Sequence, residues 1–374
     1  MNPSLDFETC WRAVVARDAR FDGRFFTGVT STGIYCRPVC PARTPRRENV
    51  TFHASAAAAE AGGFRACLRC RPETAPDFAG WRIDGAPSGG AWRGTSNTVS
   101  RALALIEGGA LDGGDVDALA ARLGVGERQL RRLFRHHLGA APVSVAQTRR
   151  VLLAKQLIHE TGLSMAQVAL ASGFGSVRRF NETFQGLYGR PPSALRRRSA
   201  EPGGTIRLGL SYRAPYDWPA MLESLATRSA AGETVSAEAW TRTLDPRVDG
   251  AHGRISVWRA AGGAERLTAE VEIDTLSALP GVLARARRVL DLAADPVAIA
   301  SDLSTDPALA DAIAARPGLR PPGDWNDPGD DLPSDRLKIE DPALRARAEC
   351  WRPWRAYGAL YWTLAKETPN AQAA

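Results

Sequence analysis

Residues 32–43 read Thr32-Gly33-Ile34-Tyr35-Cys36-Arg37-Pro38-Val39-Cys40-Pro41-Ala42-Arg43, and residues 63–72 read Gly63-Phe64-Arg65-Ala66-Cys67-Leu68-Arg69-Cys70-Arg71-Pro72. The pairs Cys36-x3-Cys40 and Cys67-x2-Cys70 stand 26 residues apart. Two close pairs joined by a longer segment are how a chain encloses a tetrahedral thiolate site for zinc, each pair spanning one edge of the tetrahedron. Four of the six cysteines lie in this window, the others being Cys10 and Cys350, which read as ordinary buried or half-buried thiols. Such clustering in a cytoplasmic chain points to metal rather than disulfides. By spacing alone, a structural zinc knuckle and a reactive thiolate site both stand. A redox pair is disfavoured, because no βαβ pattern surrounds Cys67.

Around this window, the composition is that of a globular protein of several domains: 374 residues, 44% hydrophobic and 24% charged. No run of about eighteen apolar residues is free of charge, so no membrane span is expected. The first residues carry acids and no apolar h-region, which reads as no secretory leader and a cytoplasmic location. The net charge of +7 is uneven: residues 95–200 hold 15 basic against 7 acidic side chains, residues 201–374 hold 20 against 25. The basic middle is where phosphates are expected to be met. Only Lys155, Lys338 and Lys366 are lysines, so arginine abundance alone says little about DNA.

The quoted cysteine text, with Arg47-Glu48-Asn49-Val50 between its halves, resembles the N-terminal domain of the Ada family, the adaptive-response regulators of alkylation damage. The resemblance covers roughly residues 5–78. It implies a small zinc-bound α/β domain over 1–80 holding one Zn²⁺ on Cys36, Cys40, Cys67 and Cys70. It further implies that Cys36, the first ligand, accepts a methyl group from a methylphosphotriester of double-stranded DNA. Zinc keeps a cysteine deprotonated, and the thiolate is the nucleophile. Four thiolates on Zn²⁺ give a site of about −2, and methylating one leaves about −1. Repulsion from the phosphate backbone then weakens, and DNA affinity is expected to rise. Thr32, Arg43 and Arg65 are expected on the DNA backbone, with Arg46, Arg47, Arg69 and Arg71 as further phosphate candidates.

A Gly/Pro/Ser-rich linker is expected over 81–96. Beyond it, Val116–Gly126 reads as a short helix ending at Gly124, followed by a basic helix from Glu127 through Phe134. The same pattern recurs as Met165–Phe174 and Ser176–Phe184, with a longer helix from about Pro142 to His159 between. Short helix, Gly turn, basic helix is a helix-turn-helix signature. The pair, with A-x-x-x-G-F at the second turn and Gly189-Arg190-Pro191-Pro192-Ser193 at its end, resembles an AraC-type DNA-binding domain over 97–198. That implies an all-α unit with two reading helices in successive major grooves, roughly 34 Å apart. Leu130, Leu133, Phe134, Phe180 and Phe184 read as core. Arg128, Gln129, Arg131, Arg132, Arg178, Arg179 and Asn181 are the base or phosphate candidates. A promoter-binding activator further implies RNA polymerase as a partner, and two units in one chain make a monomer sufficient.

From about 205 to 325, Tyr216-Asp217-Trp218, Arg242-Thr243-Leu244 and Ala315–Gly323 resemble the N-terminal α+β domain of AlkA-type 3-methyladenine DNA glycosylases. Strands are expected at Leu208–Tyr212, Ile255–Trp258 and Leu267–Ile273, with helices from Ala220 and over Val282–Leu290. The helix-hairpin-helix core that follows in that family has no counterpart here. The chain passes from Trp325 through Asp327–Asp335 to a remnant of the family's last helix at Ala348–Tyr357, within 326–374. Asp335 falls where the catalytic carboxylate would lie, but a flipped base needs an enclosing pocket. Tyr216, Trp218, Trp351 and Trp354 read as packing rather than base stacking.

The whole therefore reads as a multidomain α+β protein and a stoichiometric DNA methylphosphotriester methyltransferase whose methylation switches on promoter binding. Two alternatives stand beside it: an active fusion of regulator and glycosylase, and a zinc-stabilised regulator without methyl transfer. The P-C-H-R motif of an O6-methylguanine acceptor does not occur, so that repair is not expected.

Overall fold

The computed structural model describes residues 6–76, 95–196, 205–228, 230–259, 265–327, 342–352 and 354–371. In the first region, helix α1 (Phe7–Ala16) is capped by Asp6, whose carboxylate accepts from Thr9 N. Strands β1 (Phe26–Val29), β2 (Ile34–Cys36) and β3 (Val50–His53) follow, then α2 (Ala56–Ala61) and the two-residue β4 (Arg65–Ala66). The sheet order is β3-β1-β2-β4, with β2 and β4 parallel and the other pairs antiparallel. One side of it buries Phe26, Tyr35, Ala56, Ala59, Phe64 and Ala66; Leu152, from the middle of the chain, joins that cluster.

The middle region is helical: α3 (Thr95–Glu107), α4 (Val116–Arg122), α5 (Glu127–Leu138), α6 (Pro142–Glu160), α7 (Met165–Ala171) and α8 (Val177–Tyr188). The expected linker is shorter at its end than 81–96, because Thr95 and Ser96 already belong to α3; residues 77–94 lie outside the described set. Asp115, Ser164 and Ser176 cap α4, α7 and α8, and Ser164 with Gln167 forms a capping box. The two turns use glycine at positive φ, Gly124 at +71° and Gly173 at +88°. At Gly173 a Cβ would stand 2.2 Å from Asp112 Oδ2, so the position excludes a side chain on two grounds.

The third region contains β5 (Ile206–Ser211), α9 (Trp218–Arg228), β6 (Glu233–Val235), β7 (Ala239–Leu244), α10 (Pro246–Asp249), β8 (Gly253–Arg259), β9 (Arg266–Ile273) and α11 (Leu279–Val289). Helices α12 (Pro296–Leu303), α13 (Pro307–Ala315), α14 (Pro342–Ala348) and α15 (Arg355–Ala371) complete it. Its antiparallel sheet runs β5-β9-β8-β7-β6. Along β5 and β9 side chains alternate between core and surface, as a sheet with one covered face requires.

The regions are not beads on a string. One apolar cluster runs from Val151, Leu157, Phe180 and Phe184 into Leu208, Leu210, Trp240 and Val257, so the second helix-turn-helix half and the five-stranded sheet share a core. Farther along, Trp351, Trp354, Tyr357 and Tyr361 pack with Leu303, Leu309 and Ile313, which ties α15 to α12 and α13. Cys10 is buried as expected; Cys350, expected to be buried or half-buried, is exposed and is not part of that aromatic cluster.

Candidate metal centre and nucleic-acid interface

The short parallel pairing of β2 with β4 builds the cysteine site. Its register sets Tyr35 beside Ala66, and Cys67 N donates to Tyr35 O at 3.0 Å, so the next residues, Cys36 and Cys67, emerge side by side. Turns then bring back Cys40 and Cys70, and the four Sγ atoms lie within 4.8 Å of one another. Sulfurs this close share protons: hydrogen bonding with Cys40 and Cys67 pushes the Cys36 thiol up, while the bond from Cys36 pulls Cys40 down to about 7. Four soft donors converging in one place fit one Zn²⁺.

The sulfurs are not equivalent. The backbone N–H of Arg37 points at Cys70 Sγ (3.4 Å) and that of Arg69 at Cys67 Sγ (3.3 Å). Among the described residues no backbone N–H is directed at Cys36. A hydrogen bond draws electron density from sulfur, so Cys36 and Cys40 keep more of it than Cys67 and Cys70. Cys36, Cys40 and Cys67 open on a cavity of about 640 Å³, and Cys70 does not line it.

Thr32 and Arg43 are exposed at this cavity and Arg65 is half-buried there; Thr32 Oγ1 donates to Val29 O at 3.3 Å. Arg46 and Arg69 also line it. Among the described residues none of Arg43, Arg46, Arg65 and Arg69 has a carboxylate partner. Arg47 pairs with Glu8, and Arg71 with Glu73 and Glu160, so these two phosphate candidates are already engaged.

On α5, Arg128, Gln129 and Arg132 are exposed while Leu130, Leu133 and Phe134 are buried. On α8, Arg179 and Asn181 are exposed and Phe180 and Phe184 are buried. Arg131 and Arg178 are each held by a glutamate one turn away, Glu127 and Glu182, at 2.8 Å from Nε. Asp335 lies outside the described residues. The four aromatic candidates are spent inside the fold: Tyr216 donates to Leu290 O, Trp218 to Glu238 O, Trp351 to Asp306 and Trp354 to Asp302.

Sequence reasoning missed the groups that fix the site to α6. Tyr35, next to Cys36, donates to Glu60, and Glu60 accepts from Thr148 of α6 at 2.6 Å. Two helical turns along, Lys155 meets Glu73 at 2.7 Å and Cys67 O at 3.5 Å. The available signal was Lys155 itself, a lysine in an arginine-rich chain, set within the apolar stripe Val151, Ala154 and Ile158.

Comparison with known proteins finds three matches along the chain. Residues 9–73 match the family described as the metal binding domain of Ada, 119–198 a helix-turn-helix domain, and 207–326 the AlkA N-terminal domain. The chain thus carries an Ada zinc-binding domain, an AraC-type helix-turn-helix domain and an AlkA N-terminal domain. A Mycobacterium tuberculosis protein named probable bifunctional transcriptional activator/DNA repair enzyme AlkA is 40% identical over 325 residues, 85% of this chain and 62% of that protein. The chain therefore spans about three fifths of that relative's length. The bifunctional transcriptional activator/DNA repair enzyme Ada of Escherichia coli is 35% identical over 164 residues, 44% of this chain and 42% of that protein. The solved DNA methyl phosphotriester repair domain of E. coli Ada is 49% identical over 19% of this chain and 78% of that one, with a TM-score of 0.18.

Proposed function

We propose that this chain is a DNA alkylation-damage regulator in which Cys36 takes a methyl group, irreversibly, from a methylphosphotriester of double-stranded DNA, and that the methylated protein binds promoter sites through α5 and α8. The observation that carries this reading is the asymmetry of the sulfurs: among the described residues Cys36 faces the cavity and receives no backbone N–H, while Cys67 and Cys70 each accept one.

Bound Zn²⁺ keeps the four sulfurs as thiolates at neutral pH. The lone pair of Cys36 forms the new S–C bond as the C–O bond of the methyl ester breaks, and the electron pair leaves on oxygen to restore a phosphodiester anion. Arg43, Arg46, Arg65 and Arg69 are free to hold the flanking phosphates, and Thr32 stands at the cavity edge to meet the backbone. The product is a thioether that no neighbouring group can demethylate, so transfer is stoichiometric. A stoichiometric DNA methylphosphotriester methyltransferase is the activity assigned. Losing one negative charge beside the backbone strengthens DNA binding, and repair and signal become one event.

Arg128, Gln129, Arg132, Arg179 and Asn181 form the exposed reading set, and Arg131 and Arg178 join it once phosphate or base competes with their glutamates. Val177, 42% exposed at the start of α8, offers an apolar contact for a thymine methyl that sequence reading did not single out. One chain carries both reading helices, so a monomer suffices, and activation implies contact with RNA polymerase. We assign no base excision to the third region, because its aromatic candidates are committed to packing.

The test is promoter affinity of unmodified and Cys36-methylated protein across a salt titration. Tighter binding by the methylated form supports the reading; equal affinity at every salt concentration contradicts the switch.

A further inference from the structure

The zinc-binding region also touches the third region, at the 22–24 turn, whose Asp22 in turn binds Arg37 beside the ligand Cys36. Asp22, 5% exposed, lies just before β1. Its carboxylate binds the Arg37 guanidinium, with Nε to Oδ1 at 2.8 Å. Arg37 follows Cys36 directly. Its Nη1 reaches Cys70 O at 3.2 Å and Thr74 Oγ1 at 2.6 Å, and its backbone N–H points at Cys70 Sγ. From the other side, Arg213 donates Nη2 to the Asp22 carbonyl at 3.2 Å and Nη1 to Ala293 O at 3.2 Å. Arg213 is 6% exposed, and its own carbonyl accepts from Arg320 at 2.6 Å. Two residues after Asp22, Arg24 forms an ion pair with Asp295, the cap of α12.

We propose that the AlkA-like region positions the zinc loop: Arg213 and Asp295 hold the 22–24 turn, Asp22 holds Arg37, and Arg37 aims its N–H at Cys70. The segment from Arg37 to Cys40 is a turn with no strand partner, so its place is set by these side-chain contacts rather than by a backbone ladder. The half-buried Arg37 guanidinium makes four hydrogen bonds, and releasing it would leave the buried Asp22 carboxylate without its counter-ion. Asp22, Arg37 and Arg213 are thus positioning residues that act through the loop on the sulfurs. The third region acquires a task in methyl acceptance that needs no base excision. This inference rests on the reading of Cys36 as acceptor only for its effect on rate.

The test uses full-length protein carrying Arg213→Met, with Asp295→Asn as a second variant should the first fail to fold. Three quantities are read: amide exchange at Arg37, the cadmium NMR resonance of the cadmium-loaded site, and the single-turnover rate of methyl transfer to Cys36. The expected result is exchange at Arg37 faster by about tenfold, the equivalent of one hydrogen bond to a charged group. It is accompanied by a shifted cadmium resonance, a slower transfer rate, unchanged exchange in α5 and α8, and partial recovery in Arg213→Lys. Wild-type exchange at Arg37 and an unmoved resonance in both variants overturn the proposal. A wild-type protein that takes no methyl overturns the parent reading instead, and exchange with the cadmium resonance still decides this one.

Discussion

Lys155 Nζ and Glu73 Oε2 meet at 2.7 Å with both side chains closed off from solvent. Lys155 belongs to α6, the helix between the two helix-turn-helix units, and Glu73 follows the last zinc ligand by three residues. The zinc domain and the DNA-binding domain therefore meet in a buried ion pair, reinforced by Arg71 with Glu160 and by Glu60 with Thr148.

Removing Glu73's charge strands the Lys155 ammonium in a dry interior, and removing Lys155 leaves the buried Glu73 only its longer pair with Arg71. Lys155→Met alone and Glu73→Gln alone are each expected to lower unfolding free energy by about 3–5 kcal/mol, and the double replacement Lys155→Met/Glu73→Leu to recover most of that loss. Urea unfolding of the four proteins checks this. Additive losses in the double variant would contradict the pairing.

Glu60 supplies a pH dependence. Burial pushes its carboxyl up to about 7, opposed by the hydroxyls of Thr148 and Tyr35 and by the Lys155 charge. The folded protein keeps a proton that the unfolded chain releases near the ordinary value of 4.5, so this contribution to stability is complete below 4.5 and is lost as pH rises through about 7. Glu60→Gln cannot titrate. The stability of wild type relative to Glu60→Gln is expected to fall between about pH 5 and about pH 8. Parallel curves over that window would contradict the buried carboxyl.

The cavity arginines sort by whether they are already paired. Arg65→Ala and Arg43→Ala are expected to slow methyl transfer and to lower the salt slope of DNA binding by about 0.9 each. Arg47→Ala, which removes a side chain held by Glu8, is expected to leave both nearly unchanged. An Arg47 effect as large as that of Arg65 would contradict the sorting.

Gly173→Ala tests the second helix-turn-helix turn. The new Cβ meets Asp112 Oδ2 at 2.2 Å and Arg149 Nη2 at 2.8 Å, at a φ of +88°. A loss of about 2–4 kcal/mol and of promoter binding is expected. Gly175→Ala, with nothing within 4 Å of its Cβ, is the matched control. Thermal unfolding distinguishes them, and equal melting would contradict the crowded turn.

Much of the fold was legible where a local signal exists. Cysteine spacing marks the ligands Cys36, Cys40, Cys67 and Cys70, and glycines at Gly124 and Gly173 mark the turns between paired helices. The strands β8 and β9 show in their alternation. The strands β6 and β7 and the helices α12 and α13 did not announce themselves, because short segments with mixed polarity carry weak periodicity. Least legible were contacts between distant residues. Nothing local in Asp22 says that it binds Arg37, or in Glu60 that it meets Thr148, since such pairs exist only once the regions have docked. The continuous core joining Phe184 to Trp240 was hidden for the same reason: each half reads separately as an ordinary amphipathic element.

The most direct measurement is peptide mass spectrometry of the zinc-loaded protein after incubation with duplex DNA carrying methyl groups only on its backbone. A gain of one methyl on the peptide containing Cys36, absent in Cys36→Ser and never found on Cys40, Cys67 or Cys70, is the predicted result. An unmodified Cys36 beside consumed phosphotriester, or a methyl on any other ligand, would contradict the account.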